Sequence, residues 1–295
     1  MSVSPSPSVI RASELLQELA RQPTGGFTVS ELARKLGVPR ATCDTLLRGL
    51  SDGGLVKRDP ELRYRLGPAC VVIGDAARRA NLALHAANLL AERLAKESSS
   101  VTAVSIRDRN ETRVSDVFDF GPPLGLRARV GATMPLVPPF GSTFVAWGTD
   151  AEGEQWLDRT QPPLTSLEKT HYRTALSEIR HRGFSVTLVT DRQPTLIAAL
   201  ERVAGHARSE DAYVDRDQVA RQMTHGEYLL AHIEPDALVR VAQVSAPVFQ
   251  TTGMVEVSIM LLGPTQEVTA DEVKELGLRV ASAAGAATRS LMGAG

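Results

Sequence analysis

The chain reads as an α+β protein in two parts, and three observations carry that expectation. Residues 28–66 hold two short amphipathic helices, a tight turn and a basic strand pair. Residues 1–79 carry twelve Lys/Arg against eight Asp/Glu, whereas the remaining 216 residues hold 21 basic and 26 acidic side chains. From about residue 98 onward, strands and helices mix in an order that suits a central antiparallel sheet. A length of 295 residues allows two domains, each with its own core. Hydrophobic content of 43% and charged content of 23% are ordinary for a globular protein.

The first part begins with a Ser/Pro-rich tail, residues 1–8, read as disordered. A helix over about 8–21 follows, with Val9, Ala12, Leu15, Leu16 and Leu19 as its buried stripe. Thr28 and Glu31 have capping-box spacing, and Val29, Leu32, Ala33 and Leu36 then fall at i, i+3, i+4 and i+7. Gly37 and Val38 make the turn, and Pro39 suits the start of the next helix, in which Cys43, Leu46, Leu47 and Leu50 repeat the spacing. This is a helix-turn-helix. Residues 55–58, a turn at 59–61 and residues 62–66 then read as a hairpin, the wing, which closes the domain at 9–67.

With Cys43, Leu46, Leu47 and Leu50 turned inward, Ala41, Thr45 and Arg48 lie opposite. Asp44 flanks them, and Arg40 and Thr42 stand in the first turn. Such a helix presents its start to base edges and phosphates. Arg pairs two-pronged with guanine, and Thr touches a thymine methyl or a phosphate. Thr28 at the preceding helix start joins the candidate contacts. Lys57, Arg58, Arg63 and Arg65 form the wing's cationic cluster, suited to the phosphate backbone. The alternative is a merely solvated helix face beside an edge strand guarded by charge. The basic balance of this part favours double-stranded DNA.

Residues 68–97 read as a helical connector of one or two helices, and as a natural dimerisation element. In the second part, residues 98–295, strands are expected at 101–106, 113–118, 184–189, 239–249 and 254–262. Helices are expected after Phe140, over 172–182 and over about 269–292. The last carries Val273, Leu276, Val280, Ala284, Ala287 and Leu291. Residues 191–228 read as an insertion with a helix near 196–208 and a polar remainder.

Several stretches together carry a family resemblance. In the first part they are Val29-Ser-Glu-Leu-Ala-Arg-Lys-Leu-Gly37, Leu46-Leu-Arg-Gly-Leu50, Gly54-Leu-Val-Lys-Arg58 and Tyr64-Arg-Leu-Gly67. In the second they are Arg129-Val-Gly131, Pro135-Leu136, Arg182-Gly-Phe184, Ser245-Ala-Pro-Val-Phe249 and Gly263-Pro264. The chain resembles the IclR family of bacterial transcriptional regulators over nearly its whole length. That resemblance implies a winged helix-turn-helix joined by its connector to a GAF-like sensor domain. It also implies a homodimer or homotetramer on a palindromic operator that answers to a small organic effector.

The sensor motifs depart from those implied for small polar acids. Phe140 stands where a small residue is expected, before Gly141 and Ser142 in the loop Val137-Pro-Pro-Phe-Gly-Ser-Thr143. Met260 and Leu262 occupy the implied hydroxyl positions, and Ser185-Val-Thr-Leu-Val189, with Thr187, replaces an acidic run. With Pro247 these residues make the candidate effector site. A desolvated carboxylate without partners costs several kcal/mol. An aromatic or lipid-like effector is therefore expected, the alternative being a filled cavity without one.

Other classes are weakly supported. Six histidines, His85, His171, His181, His206, His225 and His232, show no metal-ligand spacing, and Cys43 and Cys70 make no disulfide framework. Neither a nucleophile elbow nor a phosphate or dinucleotide loop occurs. No catalytic residue, metal or cofactor is expected, although an enzyme or a scaffold built on the second part remains the minor alternative. Nothing approaches the roughly 18–20 apolar residues of a membrane span. With no apolar signal segment at the amino terminus, a cytoplasmic protein without membrane contact is expected.

Overall fold

The computed structural model describes residues 6–22, 24–122, 128–189, 217–218, 220–224, 228–232, 234–264 and 266–293. They form two compact units, with the division between Ala80 and Asn81.

The first unit contains α1 (Pro7–Arg21), α2 (Val29–Lys35), α3 (Arg40–Asp52), β1 (Val56–Arg58), β2 (Tyr64–Leu66) and α4 (Pro68–Ala80). Leu15, Leu19, Leu32, Cys43 and Leu47 are almost fully enclosed in its core, as the helical spacing requires. Burying each such leucine contributes about 1.5–3 kcal/mol. Enclosure pushes the Cys43 thiol up to about 11, with Asp44 adding to the shift, so this cysteine is an inert core residue. Glu18 is fully buried and pairs at 2.8 Å with Lys35, which ties α1 to α2. The expected strand 62–66 starts at Tyr64 instead. Leu62 has φ 62°, and Asp59 Oδ1 accepts from Arg63 N at 2.8 Å, so the turn takes up both residues. Phe27 bridges Tyr64 as a further short pairing. Helix α1 begins one residue before the expected start, at Pro7, a good first position because its missing N–H has no partner to lose.

The expected connector 68–97 is two helices of different kinds. In α4 nothing is buried, and Val71, Val72 and Ile73 are 73%, 67% and 58% exposed. Asn81 then caps α5 (Leu82–Ser98) by accepting from Leu84 N at 2.9 Å. Ala83, Leu84, Ala87, Ala91 and Leu94 of α5 belong to the core of the second unit.

That unit adds β3 (Val101–Asp108), β4 (Glu111–Asp119), β5 (Thr133–Pro135), α6 (Ser142–Val145), α7 (Asp150–Asp158), α8 (Ser166–Arg182) and β6 (Ser185–Leu188). β7 (Leu238–Val239), β8 (Val241–Phe249), β9 (Val255–Leu262), β10 (Val268–Thr269) and α9 (Ala270–Met292) complete it. The main sheet is antiparallel and runs β5-β4-β3-β9-β8-β6. One face, through Val104, Val186, Val244, Ala246, Val257 and Ile259, packs against α5 and α9. Gly277 of α9 lies so close to the Phe184 ring that any Cβ there would overlap it.

Helix α8 starts six residues before the expected 172, and α7 was not foreseen. Both begin at a Thr-x-x-Glu capping box, Thr165 with Glu168 and Thr149 with Glu152, which outweighs weak amphipathic spacing. Most of the expected insertion, including 196–208, lies outside the described residues.

Candidate nucleic-acid interface and sensor face

Helix α3 turns Cys43, Leu47 and Leu50 inward, and Arg40, Ala41, Thr45 and Arg48 are exposed, with Thr42 and Asp44 half-buried. Thr45 Oγ1 donates to Ala41 O at 3.0 Å. Arg48 Nη2 lies 2.7 Å from Asp44 Oδ2. Lys57 and Arg58 are exposed on the wing, and the Arg58 guanidinium stands 5.6 Å from the Tyr64 ring centroid. Stacking on the ring holds a cation extended without neutralising it.

The other two wing cations have internal work. Arg63 donates through Nε to Gly25 O at 2.9 Å and through Nη2 to Gly26 O at 3.3 Å, and it pairs with Glu31 at 3.2 Å. Arg65 pairs with Asp59 at 3.0 Å. The positive φ at Leu62 precedes this inward use of Arg63, and sequence spacing alone does not reveal it. Thr28 is likewise a cap: its Oγ1 accepts from Glu31 N at 3.3 Å, and Thr28 N donates to Glu31 Oε2 at 2.7 Å.

Those contacts hold the Glu31 carboxyl below its ordinary range, chiefly through the Thr28 backbone N–H, with Thr28 Oγ1 and then Arg63 adding to it. A carboxylate whose folded pKa is lowered stabilises the fold above its unfolded pKa. That contribution is lost as pH falls through the folded pKa. Glu31→Ala is expected to destabilise the first unit by about 1 kcal/mol, since a one-third exposed pair is screened by solvent. Urea unfolding at pH 7 and pH 3 checks this: the difference between Glu31→Ala and the parent should shrink at the lower pH.

In the second unit, strand alternation places Thr187, Pro247, Met260 and Leu262 opposite the face that packs on α5 and α9. Ser142 joins them, because its hydroxyl lies 2.9 Å from that of Ser185 on β6. Gly141 precedes it at φ 76°, and a Cβ there would overlap Leu136 Cδ1, so glycine is required. Phe140 is half-buried, and its carbonyl accepts from Trp156 Nε1 at 2.9 Å. The structure therefore brings the expected effector residues to one sheet face and the loop that enters α6.

This face is more polar than the sequence reading held. Thr143 and Ser245 hydroxyls are 2.6 Å apart, and those of Ser105 and Ser258 are 2.9 Å apart. With Ser142 and Ser185, six buried hydroxyls form three pairs. One O–H in each pair is used within it, which leaves the second hydroxyl's proton for another acceptor. Strict period-two reading of β3, β6, β8 and β9 would have found these serines.

Beside the face, Arg182 donates through Nε to Phe184 O at 2.8 Å and through Nη2 to Leu230 O at 2.7 Å. Burial brings its guanidinium down to about 10. His171 Nε2 lies 3.2 Å from Leu229 O, and Tyr172 Oη donates to Thr224 O at 2.7 Å. Among the described residues no cluster of His, Cys, Asp and Glu could hold a metal ion. No described helix is long and apolar enough to cross a membrane. His206 and His225 lie outside the described residues.

Comparison with known proteins bears first on the amino-terminal unit. Residues 8–60 match the model of the IclR helix-turn-helix domain. The first unit therefore holds a helix-turn-helix of the IclR type. Among IclR-type and related regulators, the chain is 34% identical over 131 residues to the HTH-type transcriptional regulator Rv1719 of Mycobacterium tuberculosis. That match covers 43% of this chain and 49% of the relative, so the chain spans about half of that protein's length. The fold is shared with an IclR transcriptional regulator from Alicyclobacillus acidocaldarius, at TM-score 0.65 and 22% identity, over 98% of this chain and 100% of that one. It is also shared with an IclR homolog from Microbacterium hydrocarbonoxydans, solved with 4-hydroxybenzoate, at TM-score 0.61 and 15% identity. There the match covers 96% of this chain and 99% of the other.

Proposed function

We propose that this chain is a DNA-binding transcriptional regulator of the IclR family and not an enzyme. It binds a pseudo-palindromic operator as a homodimer or homotetramer, and a small organic effector controls its occupancy. The observation that carries the reading is the outward row of α3, with Arg40, Ala41, Thr45 and Arg48 exposed beside Lys57 and Arg58 of the wing. Thr42 and Asp44 complete that surface, and Thr28, Arg63 and Arg65 shape the ground under it. The bare apolar stretch Val71–Ile73 of α4 supports self-association. Half-sites one helical turn of DNA apart, or a multiple, fit such an oligomer. A gel shift with duplexes enriched from a random library tests this: a specific, salt-sensitive shift is expected, and its absence defeats the reading.

The effector of this reading is an aromatic acid or phenol. Phe140, Met260 and Leu262 supply apolar wall around Gly141, Ser142, Thr187 and Pro247, and the hydroxyl pairs supply donors for one polar group. The 4-hydroxybenzoate held by a fold neighbour supports the same class. The pairing of those buried hydroxyls with one another favours a second reading, a filled face with no effector. Thermal-shift measurements separate them: aromatic acids should raise the melting temperature more than aliphatic or glyoxylate-sized acids. An effector acts on DNA only through unequal affinity for two arrangements of the oligomer.

A further inference from the structure

One ion pair on the outward row of α3 has no structural task. Arg48 Nη2 meets Asp44 Oδ2 at 2.7 Å, with the arginine side chain 78% and the aspartate 37% exposed. A pair so exposed adds little to the fold. It does, however, restrict a long side chain that would otherwise sample many rotamers. A guanidinium carries five N–H donors, and Asp44 engages one hydrogen of Nη2, so the other Nη2 hydrogen, paired with Nη1 or Nε on the edge it faces, stays free for a two-point bond to guanine.

The carboxylate also has a cost. Set among phosphates it is repelled, and it cancels the charge through which Arg48 would hold any duplex regardless of sequence. A group that weakens indiscriminate contact while shaping a selective one is a specificity device.

We infer that Asp44 is a positioning residue that holds Arg48 for a guanine edge and depresses binding to unrelated duplexes. The inference rests on the DNA-binding reading of α3. Arg48 makes the base contact; Asp44 acts through it.

The test uses the full-length protein, a duplex enriched by the parent protein from a random library, and a scrambled duplex of equal length. Dissociation constants are measured across a salt series for the parent, D44N, R48A and the D44N/R48A double variant. For D44N, binding to the scrambled duplex should tighten about 3- to 10-fold with a steeper salt slope. Preference for the enriched duplex should fall at least about tenfold, concentrated at one G·C pair found by single-base substitution. In the R48A background, D44N should no longer alter that preference. Equal changes on both duplexes, or the same loss of preference without Arg48, would overturn the inference, as would loss of helix in D44N by circular dichroism. A parent protein that enriches no sequence would bring down the DNA-binding reading itself, and this inference with it.

Discussion

Arg40→Ala is expected to weaken binding to the enriched duplex by about 5- to 150-fold, the equivalent of about 1–3 kcal/mol, while binding to scrambled DNA changes far less. Arg40 opens α3, is exposed, and makes no ion pair with any described residue. Its charge and its donors are therefore both available to a partner. Lys57→Ala and Arg58→Ala serve as the contrast. Loss of a phosphate contact should lower affinity for every sequence alike and flatten the salt slope by about one unit. Fluorescence anisotropy on two duplexes over a salt series distinguishes these patterns. Unchanged discrimination in Arg40→Ala would remove this side chain from base reading.

Trp156→Ala is expected to lower the stability of the second unit by about 3–5 kcal/mol. The side chain is fully buried, packs edge-on to Tyr172 at 5.6 Å between centroids, and lies in the cluster that includes Leu136 and Phe144. Trp156→Phe separates two contributions. It keeps most of the packing and removes the Nε1 bond to Phe140 O, at about 1 kcal/mol. Because that bond fixes the loop entering α6, Trp156→Phe should also speed amide exchange at 140–145. Urea unfolding followed by circular dichroism, with hydrogen exchange on the loop, checks both. A Phe variant with parental exchange would mean that the loop is held by other contacts.

The head was legible because its helices carry strong 3.6-residue spacing and its turn and cap residues agree with that spacing. Cys43, Leu47 and Leu50 are buried as their positions demand. The roles of Arg63 and Arg65 were not legible. Their partners, Gly25 O, Gly26 O and Glu31 for Arg63 and Asp59 for Arg65, include groups more than thirty residues away in the chain, which strand spacing does not reveal. In the second unit, the central strands could be read from apolar runs, whereas β5 is three residues long and α7 has little apolar periodicity. Of the candidate effector residues, Thr187, Pro247, Met260 and Leu262 share a sheet face, since strand period two fixes which side chains are neighbours. The buried serines escaped notice because hydroxyls are as common on solvated strands as on enclosed ones, and only the opposing core residues tell them apart.

Four helix starts, at Thr28, Thr149, Thr165 and Thr269, use one chemical clasp, in which a glutamate three residues on closes back over the threonine. Glu31 and Glu272 are both held below the ordinary carboxyl range, chiefly by the threonine backbone N–H. Acid therefore reaches both units through the same fastening. As the pH falls below that range each protonated glutamate slackens its grip, so fraying should begin at the amino ends of α2 and α9, in the first and second units together.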